Sequence, residues 1–190
     1  MIEVEIKLPI ESREQTEKKL SQLGFEKGNL VEESDSYFNS PFHDFRETDE
    51  ALRIRRSTDH TNEKSLSVIT YKGPKIDAVS MTRCELETEV SDPAICGEIF
   101  RSLGFFPVQP VNKKRRYYHS GEVTACVDQV EGLGDFLELE ILVPTENDRI
   151  NALKQMEKTL EELGHHMTET TRISYLSMLQ AKERFGGNDE

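Results

Sequence analysis

Glu3-Val4-Glu5-Ile6-Lys7-Leu8 is the stretch that decides how the rest of the chain is read. As a strand it sends Val4, Ile6 and Leu8 to one face and Glu3, Glu5 and Lys7 to the other. The polar face is thus a row of full charges in fixed register. The device recurs in Arg83-Cys84-Glu85-Leu86-Glu87-Thr88-Glu89 and in Glu138-Leu139-Glu140-Ile141. Each of these strands runs into a predicted helix, and each helix closes on a matching tag: Leu20-x-x-Leu23-Gly24, Phe100-x-x-Leu103-Gly104 and Leu160-x-x-Leu163-Gly164. We read this as a weak internal repeat of acidic strand, helix and glycine stop. One charged strand face is most simply a solvated one. Three of them, beside the basic strands described below, point to a shared charged interior.

The length of 190 residues suits one domain with a proper core, expected over 1–184, with a disordered polar tail at 185–190. Asp and Glu number 36 against 24 Lys and Arg, a net charge of −12. A field of that sign repels phosphate, which argues against nucleic acid or an anionic membrane as a partner and favours divalent cations. No apolar run approaches a membrane span and the chain opens on a charged strand, so a cytoplasmic location is expected. Cys84, Cys96 and Cys126 lack C-x-x-C spacing and are expected as free, buried thiols.

Pattern and punctuation place the remaining elements. Ser12 caps a helix with Leu20 and Leu23 on its apolar face. The chain is extended from Phe25 to Asn39, loops to Thr48, and resumes as a strand at Ala51-Leu52-Arg53-Ile54-Arg55-Arg56. Leu66–Lys72 is its hairpin partner, stopped by Gly73-Pro74. A second helix starts near Ser91, with Ile95, Ile99, Phe100 and Leu103 as its apolar stripe. Lys113–Tyr118, Val123–Asp128 and Asp135–Val143 follow as strands joined by tight turns. A long helix carries Ile150, Leu153, Met156, Leu160 and Leu163 on one face, and a shorter one spans about Arg172 to Lys182. Some eight strands with hairpin connections favour an antiparallel sheet. The expected fold is α+β: a closed eight-stranded antiparallel β-barrel, a tunnel with a charged lumen and helices packed outside. Eight strands can enclose a small ligand.

The charged faces supply Glu3, Glu5, Glu85, Glu87, Asp128, Glu138 and Glu140 as acids, and Lys7, Arg53, Arg55, Lys72, Arg83, Lys113 and Arg115 as bases. Isolated buried charges each cost several kcal/mol, so such a lumen needs neutralising partners. Carboxylates suit a hard cation such as Mg²⁺ or Mn²⁺. Arg forks and Lys point charges suit a phosphate chain. Together they describe a site for a metal-bound polyphosphate. Taken singly, each has a plainer account. Arg53 and Arg55 would be surface ion-pair partners, Lys113–Arg116 a basic patch, Asp128 a turn former, and Lys72 the end of a strand. No phosphate-binding glycine loop and no supported nucleophile triad is present.

Several stretches, in order, resemble the CYTH superfamily of triphosphate tunnel metalloenzymes. They are Glu3-Val4-Glu5-Ile6-Lys7 (E-x-E-x-K), Tyr37-Phe38-Asn39, Ala51–Arg55, Tyr71-Lys72-Gly73-Pro74, Arg83-x-Glu85, Lys113-x-Arg115 and Val127–Glu140. The last is similar to the class IV (CyaB-type) adenylate cyclase branch. The resemblance runs from Glu3 to Arg172-x-Ser174-Tyr175. It implies Glu5, Asp128 and Glu138 as metal ligands supported by Glu3 and Glu140. Lys7, Arg53, Arg55, Lys72, Arg83, Lys113 and Arg115 are then triphosphate contacts, Glu85 and Glu87 orient the neighbouring bases, and Arg172, Ser174 and Tyr175 cover one mouth. The implied reaction is conversion of ATP to cyclic AMP and pyrophosphate with Mg²⁺ or Mn²⁺, two ions being expected. The alternative is hydrolysis of tripolyphosphate, a nucleoside triphosphate or thiamine triphosphate on the same fold. A non-catalytic polyphosphate sensor would not need the carboxylates. A homodimer is left open.

Overall fold

Strand β1 (Ile2–Pro9) carries the opening alternation into three dimensions. The computed structural model describes residues 2–186. Val4, Ile6 and Leu8 are fully buried under helices, while Glu3, Glu5 and Lys7 face the opposite way, into a cavity. The other strands are β2 (Glu26–Asn39), β3 (Ala51–Asp59), β4 (Lys64–Lys75), β5 (Arg83–Glu89), β6 (Phe106–Pro107), β7 (Val111–Ser120), β8 (Val123–Val130) and β9 (Gly134–Val143). All pairings are antiparallel, in the order β3-β4-β5-β1-β9-β8-β7-β2, and β2 pairs back onto β3. Eight strands therefore close into a barrel, which leaves no exposed edge among them. The short β6 adds to the end of β2 at Phe38 and Asn39.

The three strands of the repeat, β5, β1 and β9, lie side by side, with Glu5 opposite Glu140 and Lys7 opposite Glu138. Each feeds its own helix: α1 (Arg13–Gln22), α2 (Pro93–Ser102) and α3 (Arg149–Leu163). The caps follow the sequence. Ser12 accepts from Gln15 N at 3.3 Å, and Asp92 accepts from Ala94 N and Ile95 N at 2.9 and 3.0 Å. The stop glycines Gly24, Gly104 and Gly164 have φ of +84, +91 and +85°, a conformation that other residues adopt only under strain.

The main core lies outside the barrel. Leu20 of α1 and Met156, Leu160 and Leu163 of α3 pack on Val4, Ile6, Leu8, Leu137, Leu139, Ile141, Ala125 and Val127. A second cluster, Val111, Val130 and Phe136, receives Tyr175 and Leu179 from α4 (Tyr175–Gly186), so α4 stoppers one end of the barrel. Among the described residues no helix is long and apolar enough to cross a membrane.

Some expectations change. The apolar Ile95 and Ile99 of α2, and Leu103 at its C-cap, are exposed. The helix contacts Phe38 and Ile54 through Cys96, Gly97 and Phe100, because the small Cys96 and Gly97 allow close approach on that side. Ile150 is likewise exposed, and so is Cys84, on the outer face of β5 next to the exposed Leu86. The last helix begins at Tyr175 instead of Arg172, since Thr171 N donates to Lys7 O at 2.7 Å and holds the preceding residues extended. Of the expected tail, α4 continues through Gly186, and 187–190 lie outside the described residues.

Leu160→Ala should lower stability by about 3 kcal/mol, the usual cost of such a cavity, whereas Ile95→Ser should change it by less than about 0.5 kcal/mol. Urea midpoints at constant m-value check both. Equal losses would mean that α2 is buried against something else.

Candidate active site

The acidic half of the lumen is built by β5, β1, β9 and β8. Lys7 Nζ lies 2.8 Å from Glu138 and 3.2 Å from Glu5. From β7, Arg115 grips Asp128 with Nε and an Nη at 2.7 and 2.6 Å, reaches Glu140 at 3.0 Å, and also contacts Glu138. The electrostatic consequences differ by residue. Burial raises the Glu138 pKa, but Lys7, Arg115 and Lys113 overcome it and hold the group well below the usual range. Glu3 is pushed up to about 8, first by burial and then by the Glu140 and Glu85 carboxylates. Glu140 is raised too, by burial first, against the pull of Arg115.

The basic half is built by β7, β2, β3 and β4, joined by Arg83 at the start of β5. Arg55 forks onto Asp35 at 2.7 and 2.7 Å and faces Glu33 at 3.1 Å. Lys113 also lies 3.1 Å from Glu33, and Arg53 lies 3.4 Å from Asp35. Burial opposes ionisation of both acids, yet Lys113 and Arg55 bring Glu33 down to about 2, and Arg55 and Arg53 hold Asp35 lower still. Lys72 pairs with Glu85, and Glu87 sits 3.8 Å from Arg53 and accepts from Thr70 at 2.7 Å. Arg83 donates to the carbonyls of Asp49 and Gly73, each at 3.1 Å.

At the stoppered end Tyr175 lies under two ammonium groups, Lys7 at 4.2 Å and Lys113 at 5.5 Å from its ring centre. Its hydroxyl donates to Asp128 at 3.1 Å. Arg172 ties this segment to the β4–β5 loop by donating to Ser80 O at 3.0 Å and to Asp77 O. Ser174 hydrogen-bonds Ser177 at 2.9 Å.

One cavity of about 530 Å³ unites these groups. All the residues singled out from the sequence line it except Asp128, which is completely buried behind Arg115. Sequence reasoning missed the buried Glu33 and Asp35, and also Arg46, Asp49, Glu50 and Lys75, which line the cavity. Val31, Glu33, Asp35 and Tyr37 do alternate, but Glu32, Ser34 and Ser36 between them are polar, so no apolar face marks the period.

The donor set fits a hard divalent cation. Glu3, Glu5, Glu138 and Glu140 present oxygen ligands only. Glu3 and Glu140 are raised by burial first and by neighbouring carboxylates second, and an added positive charge would oppose both. Glu5 Oε1 is buried with no aligned hydrogen bond, although Lys7 is 3.2 Å away. Among the described residues no three such side chains are already gathered at ligand distance. Binding therefore requires side-chain adjustment.

Residues 1–175 match the model of the CYTH domain. The chain belongs to the CYTH family. It is 42% identical over 178 residues to "Putative adenylate cyclase MJ0240" of Methanocaldococcus jannaschii, covering 94% of this chain and 98% of that one. The solved PH1819 protein of Pyrococcus horikoshii OT3 superposes with a TM-score of 0.86 at 38% identity, over 95% and 99% of the two chains. A more distant likeness of fold, with a TM-score of 0.63 at 22% identity over 97% and 95% of the chains, is to "Putative adenylyl cyclase HpAC1" of Hippeastrum, described as having a dominant triphosphatase activity.

The depressed Glu33 pKa has a definite sign. Its stabilisation is complete above the unfolded value near 4.5 and is lost as pH falls toward about 2. Glu33→Gln should therefore cost about 3 kcal/mol at pH 7, as breaking a buried pair does. The gap from wild type should narrow below pH 4.5 in chemical denaturation. A gap independent of pH would contradict the ion pairing.

Proposed function

We propose that the chain is a metal-dependent adenylate cyclase, converting ATP to cyclic AMP and pyrophosphate with the triphosphate held in the barrel lumen. The observation that carries this is the division of one cavity into facing walls, carboxylates from β5, β1 and β9 and cations from β3, β4 and β7 joined by Arg83 at the start of β5. The relative from Methanocaldococcus jannaschii supports the cyclase choice by its name.

In this reading Arg53, Arg55, Lys72, Arg83 and Lys113 hold the phosphate chain, the arginines by paired N–H groups and the lysines as point charges. Glu85 restrains Lys72 and Glu87 restrains Arg53 until substrate arrives. Lys7 sits between the walls and serves either a phosphate oxygen or its two carboxylates. Glu5 and Glu138, with Glu3 and Glu140, would hold one or two Mg²⁺ or Mn²⁺ ions. Such ions lower the pKa of the attacking 3′-hydroxyl and neutralise phosphate charge. Asp128 could join that set only if Arg115 turned away. With Arg115 placed as it is, Asp128 anchors Arg115. The 3′-hydroxyl gives its proton to solvent water and its oxygen attacks the α-phosphorus, the bond to the bridging oxygen breaks, and the basic wall stabilises the charge gained by pyrophosphate. Arg172, Ser174 and Tyr175 bound the mouth and restrict water.

A triphosphatase is the second reading, because both walls address the triphosphate alone and would serve an attacking water equally well. Incubation with ATP and, separately, with tripolyphosphate under Mg²⁺ or Mn²⁺ distinguishes them. Cyclic AMP with pyrophosphate supports the cyclase, orthophosphate the hydrolase, and no turnover contradicts both. Glu5→Gln and Glu138→Gln should each abolish metal-dependent turnover while the circular dichroism spectrum is kept. Wild-type rates across metal concentrations would remove these residues from the metal set. Lys72→Ala should weaken triphosphate binding about tenfold, the loss of one charge-assisted contact, as read by calorimetry.

A further inference from the structure

Two buried carboxylates stand where an anion-binding wall should least want them. Asp35 and Glu33 on β2 are 1% and 3% exposed and do not line the cavity, yet the cations they touch, Arg53, Arg55 and Lys113, all do. Their negative charge opposes a phosphate bound in front of them. Stability alone does not explain them, since buried ion pairs add little over well-packed apolar residues. Their geometry is specific. Asp35 takes Nε and one Nη of Arg55 at 2.7 Å each, and Glu33 faces the other Nη at 3.1 Å. The remaining guanidinium N–H groups are left for the cavity. Glu33 also bridges Arg55 to Lys113, and Asp35 bridges Arg55 to Arg53. The two acids thus space three cations that would otherwise repel one another. Asp128, on β8, fixes Arg115 by the same two-point grip.

We propose that Asp35 and Glu33 are positioning residues that set the spacing and orientation of Arg53, Arg55 and Lys113, trading anion affinity for a phosphate chain held in the reactive alignment. The proposal rests on the triphosphate reading of the lumen. Rate depends steeply on such alignment, with misplacements of about 1 Å costing on the order of 100-fold, whereas affinity depends mainly on net charge.

The test is kinetics of Asp35→Asn and Glu33→Gln with whichever of ATP and tripolyphosphate the wild type turns over, together with calorimetric titration of tripolyphosphate. The expected result is a kcat reduced roughly 10- to 100-fold with a KM and a tripolyphosphate Kd that are unchanged or lower. In an Arg55→Lys background, which cannot make the two-point grip, Asp35→Asn should cost little more, because positioning through Arg55 is non-additive. If Asp35→Asn fails to fold, Glu33→Gln, which leaves the Asp35–Arg55 fork intact, still decides the matter. An unchanged kcat in both variants overturns the proposal, as does a parallel fall of kcat and affinity tracking loss of folded protein. If the wild type itself does not bind tripolyphosphate, the triphosphate reading fails first and the proposal falls with it. Tight wild-type binding with unaltered variants overturns the positioning role alone.

Discussion

Charges enclosed by a barrel have to be balanced across it. Closing eight strands removes every edge and leaves an inward-facing carboxylate or guanidinium only the water that the cavity admits. Each half of the lumen meets this constraint in the same way. The acidic half takes in Lys7 and the Arg115 fork, and the basic half takes in Glu33 and Asp35. Lys7, Arg53, Arg55, Lys113, Arg115, Glu138 and Glu140 thereby each acquire a partner within 3.4 Å, and each pair is one that a phosphate or a cation could compete for. The imbalance that remains is local. Glu3 and Glu140 are raised by burial and, after it, by the carboxylates beside them, so this corner of the lumen is the one an added cation would favour most.

The repeat explains why the acids form a wall. Acidic strand, helix and glycine stop occur three times in the chain, and the three strands assemble next to one another as β5, β1 and β9. Adjacent copies of one pattern put Glu3, Glu5, Glu85, Glu138 and Glu140 on contiguous staves, and the outward side chains of β1 and β9 supply the apolar floor for α1 and α3. One alternation therefore builds both the core and the site. This is why the charged row could be read as interior: its apolar counterpart, Val4, Ile6 and Leu8, is buried on the other side.

Legibility followed that contrast. Where charge alternates with apolar residues, as in β1, β3, β5 and β9, the facing of each side chain was readable and the cavity contains it. In β2 the intervening residues are polar, so Glu33 and Asp35 carried no periodic mark. The loop supplying Arg46, Asp49 and Glu50 has no period at all, and Asp49 takes a φ of +56° that sequence does not announce. The outer faces were harder still. A 3.6-residue stripe shows that α2 is amphipathic but not which edge meets the barrel, and Cys96 and Gly97 decided that by their size. The α4 boundary was set by a hydrogen bond from Thr171 to Lys7, a contact 164 positions apart in the chain. Such tertiary terms override local propensity.

The central claim is that the two walls divide the work, carboxylates toward metal and cations toward phosphate. Anomalous scattering from crystals grown with Mn²⁺ and tripolyphosphate tests it most directly. The account predicts a manganese peak within coordination distance, roughly 2.2 Å, of Glu5 and Glu138, with the phosphate chain lying against Arg53, Arg55 and Lys72. Manganese bound only at Glu85 and Glu87, or phosphate on the side of Glu3 and Glu140, would contradict it.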